Sequence, residues 1–391
     1  APSSPGVRLQ RSRPASKDCF RLTFPFVVID PFVVIDENKI PTNKGGYVPP
    51  RAIARVAPIP LQKGNNVRDR IGGIEDYREA LSGSADVPLW QQPWWLDITA
   101  PGDWNAVCLL KGGRLVAALP YVATRQRGIK VWTQPPLTQA LGPWLETMEM
   151  KPVKALSRQH ALLGELADAI PDHVFYRQNW TPDRSNWLPF HWRGFRQTTR
   201  YTYRLDMAQG TAALWDHMSD STRNAIRKAE RRFGVTTETS TDIESLLRLN
   251  TAAFSRQGMT TPHPAELVRR IHSAATSRGA STMWIAQEAD GTTSAAAYIV
   301  RDEATSYYLF GGADPDRRSS GAQNLVLWRA IQDAAERSET FDFEGSMSEA
   351  IEGSFRSYGS TQVPYFSLSG STNKWLRRRM AVQDATARFR R

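Results

Sequence analysis

Residues 305–344 restrict this 391-residue chain more than any other stretch. An apolar strand, Thr305 to Phe310, runs into the loop GGADPDRRSSGAQ. A helical pattern follows from Asn324 to about Arg337, and then a second strand signal, TFDFEGS. A strand, a turn containing Gly and Arg, a helix and a strand together present free backbone N–H groups and a helix dipole to an anionic ligand. Arg317, Arg318, Ser320 and Gly321 are therefore candidate ligands. The N–H groups at the helix start can hold a pyrophosphate, and the two arginines add charge-assisted hydrogen bonds. An ordinary polar strand-to-helix turn is the competing reading.

The length exceeds one ordinary core and predicts two or three domains. A net charge of +11 suggests nucleic acid until it is mapped. Residues 1–70 hold 12 basic and 5 acidic groups and residues 371–391 hold 7 and 1, which leaves 31 basic against 33 acidic between them. Basicity belongs to the tails, which argues against a dedicated nucleic-acid-binding domain. Cys19 and Cys108 cannot build a disulfide framework and fit a reducing compartment. Cys108, in the apolar run AVCLL, reads as a small core residue. No run approaches the ~18 apolar residues of a membrane span, and the start APSSPGVRLQRSRP has no apolar signal core. The expectation is a cytoplasmic protein.

Residues 1–72 read as a basic, Pro-rich leader, expected to be disordered. Its apolar island, the tandem PFVVIDPFVVID at 25–36, is either a strand pair or partner-binding segment, or a duplicated insertion or sequence outside the natural reading frame. Order is expected from Gly73. Trp104–Leu110 and Leu115–Val122 read as a hairpin about Lys111-Gly112-Gly113-Arg114, Leu156–Ile170 as a helix, and His173–Gln178 and Thr199–Leu205 as strands. A second unit opens with a helix capped by Ser219 or Asp220 and stopped by Gly234, and another capped by Asp242. Its strands include a hairpin about Asp290-Gly291. The pattern predicts an α/β (α+β) protein with units at 73–200 and 201–370 and a basic tail at 371–391. The tail, NKWLRRRMAVQDATARFRR, reads either as a basic amphipathic helix at an anionic membrane surface or as a solvated helix end.

Residues from about 85 to 370 carry LVAALPYV (115–122), LTQALGPW (137–144), STRNAIRKAERRFGV (221–235), SSGAQNLVLW (319–328), FDFEGSM (341–347) and IEGSFRSYG (351–359). In that order they resemble the FemAB-like, CelD/BcsL (cellulose-biosynthesis-type) branch of the GNAT acyltransferases. Arg318-Ser319-Ser320-Gly321-Ala322-Gln323 is similar to that superfamily's R-x-x-G-x-G/A pyrophosphate signature, with Gln323 where Gly or Ala is usual. The resemblance implies two tandem GNAT-like domains, each a mixed, mostly antiparallel sheet flanked by helices, with a cleft between them. It implies transfer of an acyl or aminoacyl group to an amine or hydroxyl, commonly on cell-envelope precursors or polysaccharides; the basic tail adds to the cytoplasmic expectation the alternative of a site peripheral to the inner membrane. Acetyl-CoA or another acyl-CoA is the expected donor, because no long helical hairpin insertion typical of aminoacyl-tRNA users is apparent. A FemAB-type aminoacyl-tRNA-dependent peptidoglycan transferase and a non-catalytic GNAT-like binding protein are the alternatives; only the first of these calls for nucleic acid.

The remaining candidates follow from residue chemistry. Asp342 and Glu344 alternate with Phe341 and Phe343, so a strand places carboxylates on one face and rings on the other. Glu344, or else Asp342, is the candidate general base; Tyr308 and Tyr358 are candidate acids for the leaving thiolate. Arg223, Arg227 and Lys228 share a helix face; the resemblance implies contact with acceptor phosphates, and a solvated basic face is the alternative. His263, in MTTPHP, is expected in an exposed loop beside the cleft. The histidines and cysteines show no metal-ligand spacing, and no Gly-x-Ser-x-Gly elbow suggests a serine nucleophile. Direct attack on a bound thioester, helped by an oxyanion contact from a strand N–H, fits best. A bulky residue at Gly321 is expected to remove donor binding and spare the fold.

Overall fold

The computed structural model describes residues 69–388 apart from Ala85, Gln257 and Ser346. The 25–36 repeat and Cys19 lie outside the described residues. The first described element lies just before Gly73: β1 (Arg70–Gly72) pairs antiparallel with β2 (Trp104–Lys111). From there the first half runs α1 (Ile74–Leu81), α2 (Pro93–Thr99), β2, β3 (Arg114–Gln126), β4 (Ile129–Thr133), β5 (Trp144–Leu145), α3 (Pro152–Asp168), β6 (Val174–Asn179), α4 (Leu188–Trp192) and β7 (Arg196–Asp206). The second half runs α5 (Gly210–His217), α6 (Asp220–Arg232), β8 (Thr236–Thr239), α7 (Ile243–Ser255), α8 (Ala265–Ser277), β9 (Ser281–Gln287), β10 (Thr293–Arg301), β11 (Thr305–Ala313), α9 (Ala322–Ala335), β12 (Thr340–Asp342), α10 (Glu349–Arg356) and β13 (Thr361–Gly370). Helix α11 (Lys374–Arg388) follows.

The helix starts obey local chemistry. Ser219 Oγ accepts from the Thr222 N–H to cap α6, and Asp242 accepts from the Glu244 and Ser245 N–H groups to cap α7. Each such cap stabilises its helix by about 1 kcal/mol.

One sheet runs through both halves in the order β1-β2-β3-β4-β6-β13-β7-β12-β11-β10-β9-β8, with β5 beside β3. The same plan occurs twice. β2, β3 and β4 form an antiparallel meander, α3 crosses over, and β6 returns parallel to β4. β9, β10 and β11 form another, α9 crosses over, and β12 returns parallel to β11. The last strand, β13, inserts between β6 and β7, so the C-terminal segment stitches the halves together. Strand periodicity carries no sign of which distant strand it will meet.

In the second half the sheet has a core on each face. Phe341, Phe343, Tyr308 and Tyr358 pack with α6, α9 and α10 on one side. On the other, Leu309 and Tyr298 pack under α7 and α8, joined by Trp90 and Trp95 from the first half. Trp90 lies 4.7 Å from Tyr307 and 4.9 Å from Trp95, centroid to centroid. Aromatic pairs at such distances add about 0.5–1.5 kcal/mol each beyond area burial, so the first half is fixed over the second at Tyr307.

Candidate active site

Parallel pairing between β11 and β12 covers only Thr305↔Thr340 to Tyr307↔Asp342. Leu309 is then an extra residue in β11, since Ile299 pairs with Tyr308 and Tyr298 with Phe310. A bulge bends its strand. β11 continues along β10 to Ala313, while the other chain turns away: the Phe343 N–H donates to the Tyr203 carbonyl of β7. Beyond Tyr307, β11 has no paired strand on its β12 side among the described residues. The two strands diverge there, and a divergence of this kind is one that an extended ligand can fill.

The first half has the same divergence, but its own chain fills it. Past Thr133 the segment 134–142 folds back, and Leu141 bridges to Trp180. Gln178 donates to the Pro120 and Thr133 carbonyls and accepts from the Gly142 N–H; Gln134 and Asn179 hold the Thr138 and Gln139 carbonyls. Only the opening in the second half also adjoins a Gly-containing loop at a helix start. The sequence singled out LTQALGPW, but its filling role depends on amides up to 51 residues away, where Gln91 holds the Gly142 carbonyl.

That loop ends at Gly321, left-handed at φ +83°, and enters α9 directly. In the first turn of α9 the Asn324 N–H already donates to the Gly321 carbonyl, and the helix dipole adds about half a positive charge. Ser320 Oγ accepts from the Ala322 N–H. The Gln323 side-chain nitrogen is buried with no acceptor among the described residues, which leaves one more donor in the first turn. Arg317 turns instead to Asp290 at 2.8 Å and lies near Asp314; hydrogen bonding to Asp290 raises its pKa. Arg318 Nε donates to the Pro315 carbonyl, shaping the loop. A Cβ at Gly321 would lie 2.5 Å from the Ala225 carbonyl oxygen in α6. The expectation that a bulky residue there spares the fold is therefore corrected: it would push α6 from α9.

Helix α6 lies against this loop, on the α9 side of the sheet. Arg223 pairs with Asp220 and Asp216, Arg227 stacks over Trp215, and Lys228 lies over Phe233. None of the three lines a described cavity. The structure places their helix beside the loop that ends at Gly321.

The carboxylate pair divides. Phe341 and Phe343 enter the core and Asp342 takes the opposite face, as alternation requires. The strand stops at Asp342, however, so Glu344 does not continue the alternation. Asp342 Oδ1 accepts from the Glu344 N–H at 2.8 Å, which curls the chain, and Glu344 itself is left-handed at φ +63°. Gly345 follows at φ +62°, where a Cβ would lie 2.2 Å from the Tyr201 carbonyl oxygen. Asp342 also accepts from Thr202 Oγ1 and, at 2.7 Å, from Arg204 Nε. Those oxygens are committed. Glu344 is 3% exposed and left-handed at the point of divergence.

Two tyrosines stand on the α9 side. Tyr308 directs its hydroxyl against Gly311, and Tyr358 lies 3.3 Å from the Asn324 amide nitrogen in α9. Burial raises both phenol pKa values, which keeps each a proton carrier. Asn324 and Thr202 escaped the sequence reading because their contacts cross 34 and 140 residues.

Two cavities lie on the opposite face. The larger, about 280 Å³, sits between the halves, with Asp342, Thr202, Arg204 and Tyr307 on its floor and Trp90, Ala140 and Asp183 on its walls. The smaller, about 40 Å³, is bounded by Phe310, Asn250, His263 and Leu137. His263 is in a loop as expected, but half-buried there; burial lowers its pKa to about 4, so it is neutral at physiological pH. Pro262 and Ala265 close around it, which the sequence did not reveal. Among the described residues no His, Cys, Asp and Glu cluster could hold a metal ion.

Residues 217–349 match the family model described as an acetyltransferase (GNAT) domain, a span from the end of α5 to the start of α10. No curated protein matches the chain. Among solved structures the chain resembles FemX, with TM-score 0.53 and 13% identity over 75% of this chain and 94% of that one. It also resembles a tandem GNAT protein from the clavulanic acid biosynthesis pathway (TM-score 0.46, 11% identity, 75% and 91% covered). A third is the C-terminal DUF2156 domain of a protein from Agrobacterium fabrum named for lysylphosphatidylglycerol synthesis (0.46, 14%, 80% and 96%).

Proposed function

We propose that this chain, a GNAT-superfamily acyltransferase with the tandem fold of FemX, moves an acyl group from acyl-CoA to an amine or hydroxyl of a polar, positively charged acceptor. The observation that carries this reading is the opening between β11 and the chain after Asp342, which adjoins the start of α9 and backs onto the cavity between the halves. The donor pyrophosphate would rest on the first-turn N–H groups of α9, within reach of the Gln323 amide. Its extended arm would lie along the unpaired edge of β11, ending where Tyr307 and Asp342 close the opening. An acceptor in the larger cavity reaches the same point from the other face.

The chemistry then balances without a covalent enzyme intermediate. The acceptor nitrogen or oxygen attacks the thioester carbon, Glu344 takes its proton, and the thiolate leaves with a proton from Tyr358 or Tyr308. A backbone N–H on the β11 edge would stabilise the oxyanion. The cavity lining holds Asp86, Asp183, Asp302, Glu303 and Asp342 against Arg204 alone. Such a field attracts cations and repels phosphates. This favours a cationic acceptor over the anionic one that the basic helix suggested.

The test is acetyl transfer from acetyl-CoA to spermidine, to glucosamine and to UDP-glucosamine, with CoA as competitor. Transfer to the two cations, suppressed by CoA, is expected. Preference for UDP-glucosamine, or transfer only from aminoacyl-tRNA, would contradict the proposal.

A further inference from the structure

We propose that the outer face of α11, with the neighbouring β3–β4 turn, docks this protein on an anionic lipid surface. Leu376 and Met380 anchor α11 on Ile129, Val131 and Phe175 of the first half's sheet. Their spacing of four fixes which side of the helix faces outward. On that side Lys374, Trp375, Arg378, Arg379 and Val382 are all exposed. Trp375 is 63% and Val382 64% exposed, among the largest apolar exposures in the described chain. The basic surface continues past the helix, because Arg379 donates to the Arg127 carbonyl at the β3–β4 turn, where Arg125 and Arg127 are also exposed. No carboxylate lies on the described outer side chains of α11 or in residues 123–133.

Five cations around a protruding indole and an isopropyl group make a chemically mixed surface. A polyanion such as RNA would use the cations and leave Val382 in water. A bilayer interface uses both: arginine and lysine reach headgroup phosphates, while Trp and Val enter the headgroup–acyl boundary. Arg379 already lies 5.4 Å over the Trp375 ring, so the ring and its charge enter together. The attachment is peripheral, since among the described residues no helix is long and apolar enough to cross a membrane. Neither the donor opening nor the cavity between the halves includes a residue of this face, so the inference stands apart from the acyltransfer reading.

The experiment is flotation of the full chain with vesicles of phosphatidylcholine alone and of phosphatidylcholine with phosphatidylglycerol. Binding only to the anionic vesicles is expected. The Arg378→Gln/Arg379→Gln pair should weaken it roughly thirtyfold, for two cations removed, and Trp375→Ser should weaken it severalfold at unchanged thermal stability. No flotation of the wild type, or equal flotation of the variants, would overturn the proposal; the second result would assign binding to the basic residues 1–68. Loss in the arginine pair with no effect of Trp375→Ser, alongside equally tight binding of single-stranded RNA, would also overturn it in favour of nucleic acid.

Discussion

Replacing Glu344 by Gln is expected to lower acetyl-transfer turnover by about 10²–10⁴-fold, the usual worth of a positioned general base, with acetyl-CoA affinity unchanged. The two side chains are nearly isosteric, and both tolerate the left-handed backbone to the same degree, so the fold has no reason to respond. Glu344 earns this role by position. It is the buried carboxylate where β12 leaves β11, and its N–H is held by Asp342. Turnover within tenfold of wild type would place the base elsewhere.

Asp342→Ala should instead act on stability. The change leaves a guanidinium that is 20% exposed with only the exposed Asp183 at 3.7 Å, and strands the Thr202 hydroxyl and the Glu344 N–H. Removing one partner of a buried ion pair costs about 3–5 kcal/mol, readable as a lower urea midpoint. Asp342→Asn, which keeps an acceptor, should lose less. A loss below about 1 kcal/mol for the alanine variant, the value of an exposed pair, would show that Arg204 and Asp342 do not brace the floor of the cavity. Because the same carboxylate positions Glu344, the alanine variant should also lose turnover in its folded fraction.

Local features were legible in the sequence. The strand–loop–helix–strand of 305–344, the caps at Ser219 and Asp242, the two hairpins and Cys108 in a core strand all rest on interactions within a few residues. Long-range features were not. β13 pairs with β6 across almost 190 residues, as Ser367↔Asn179 shows, and no pattern in either strand names its partner. Glu344 was read as the next outward residue of a strand, but a two-residue hydrogen bond to Asp342 ended that strand first. Arg317 looked like an anion ligand, yet Asp290 in the adjoining hairpin takes it. His263 looked exposed because its neighbours in sequence are polar and Pro-rich; its neighbours in space are Phe254, Val268 and Phe310. Gly321 was singled out as an anion ligand; its left-handed φ and its contact with α6 were not legible.

Calorimetric titration of acetyl-CoA into the full chain and into Ser319→Asp tests the central claim most directly. Ser319 is exposed in the 3₁₀ turn before α9. An aspartate there suits the helix dipole and leaves the fold intact, but sets a negative charge where the pyrophosphate should lie. The account predicts micromolar binding to the wild type and at least about a tenfold loss in the variant, from about 1.4 kcal/mol of repulsion. Absence of wild-type binding, or equal binding by both proteins, would contradict a donor site at the start of α9.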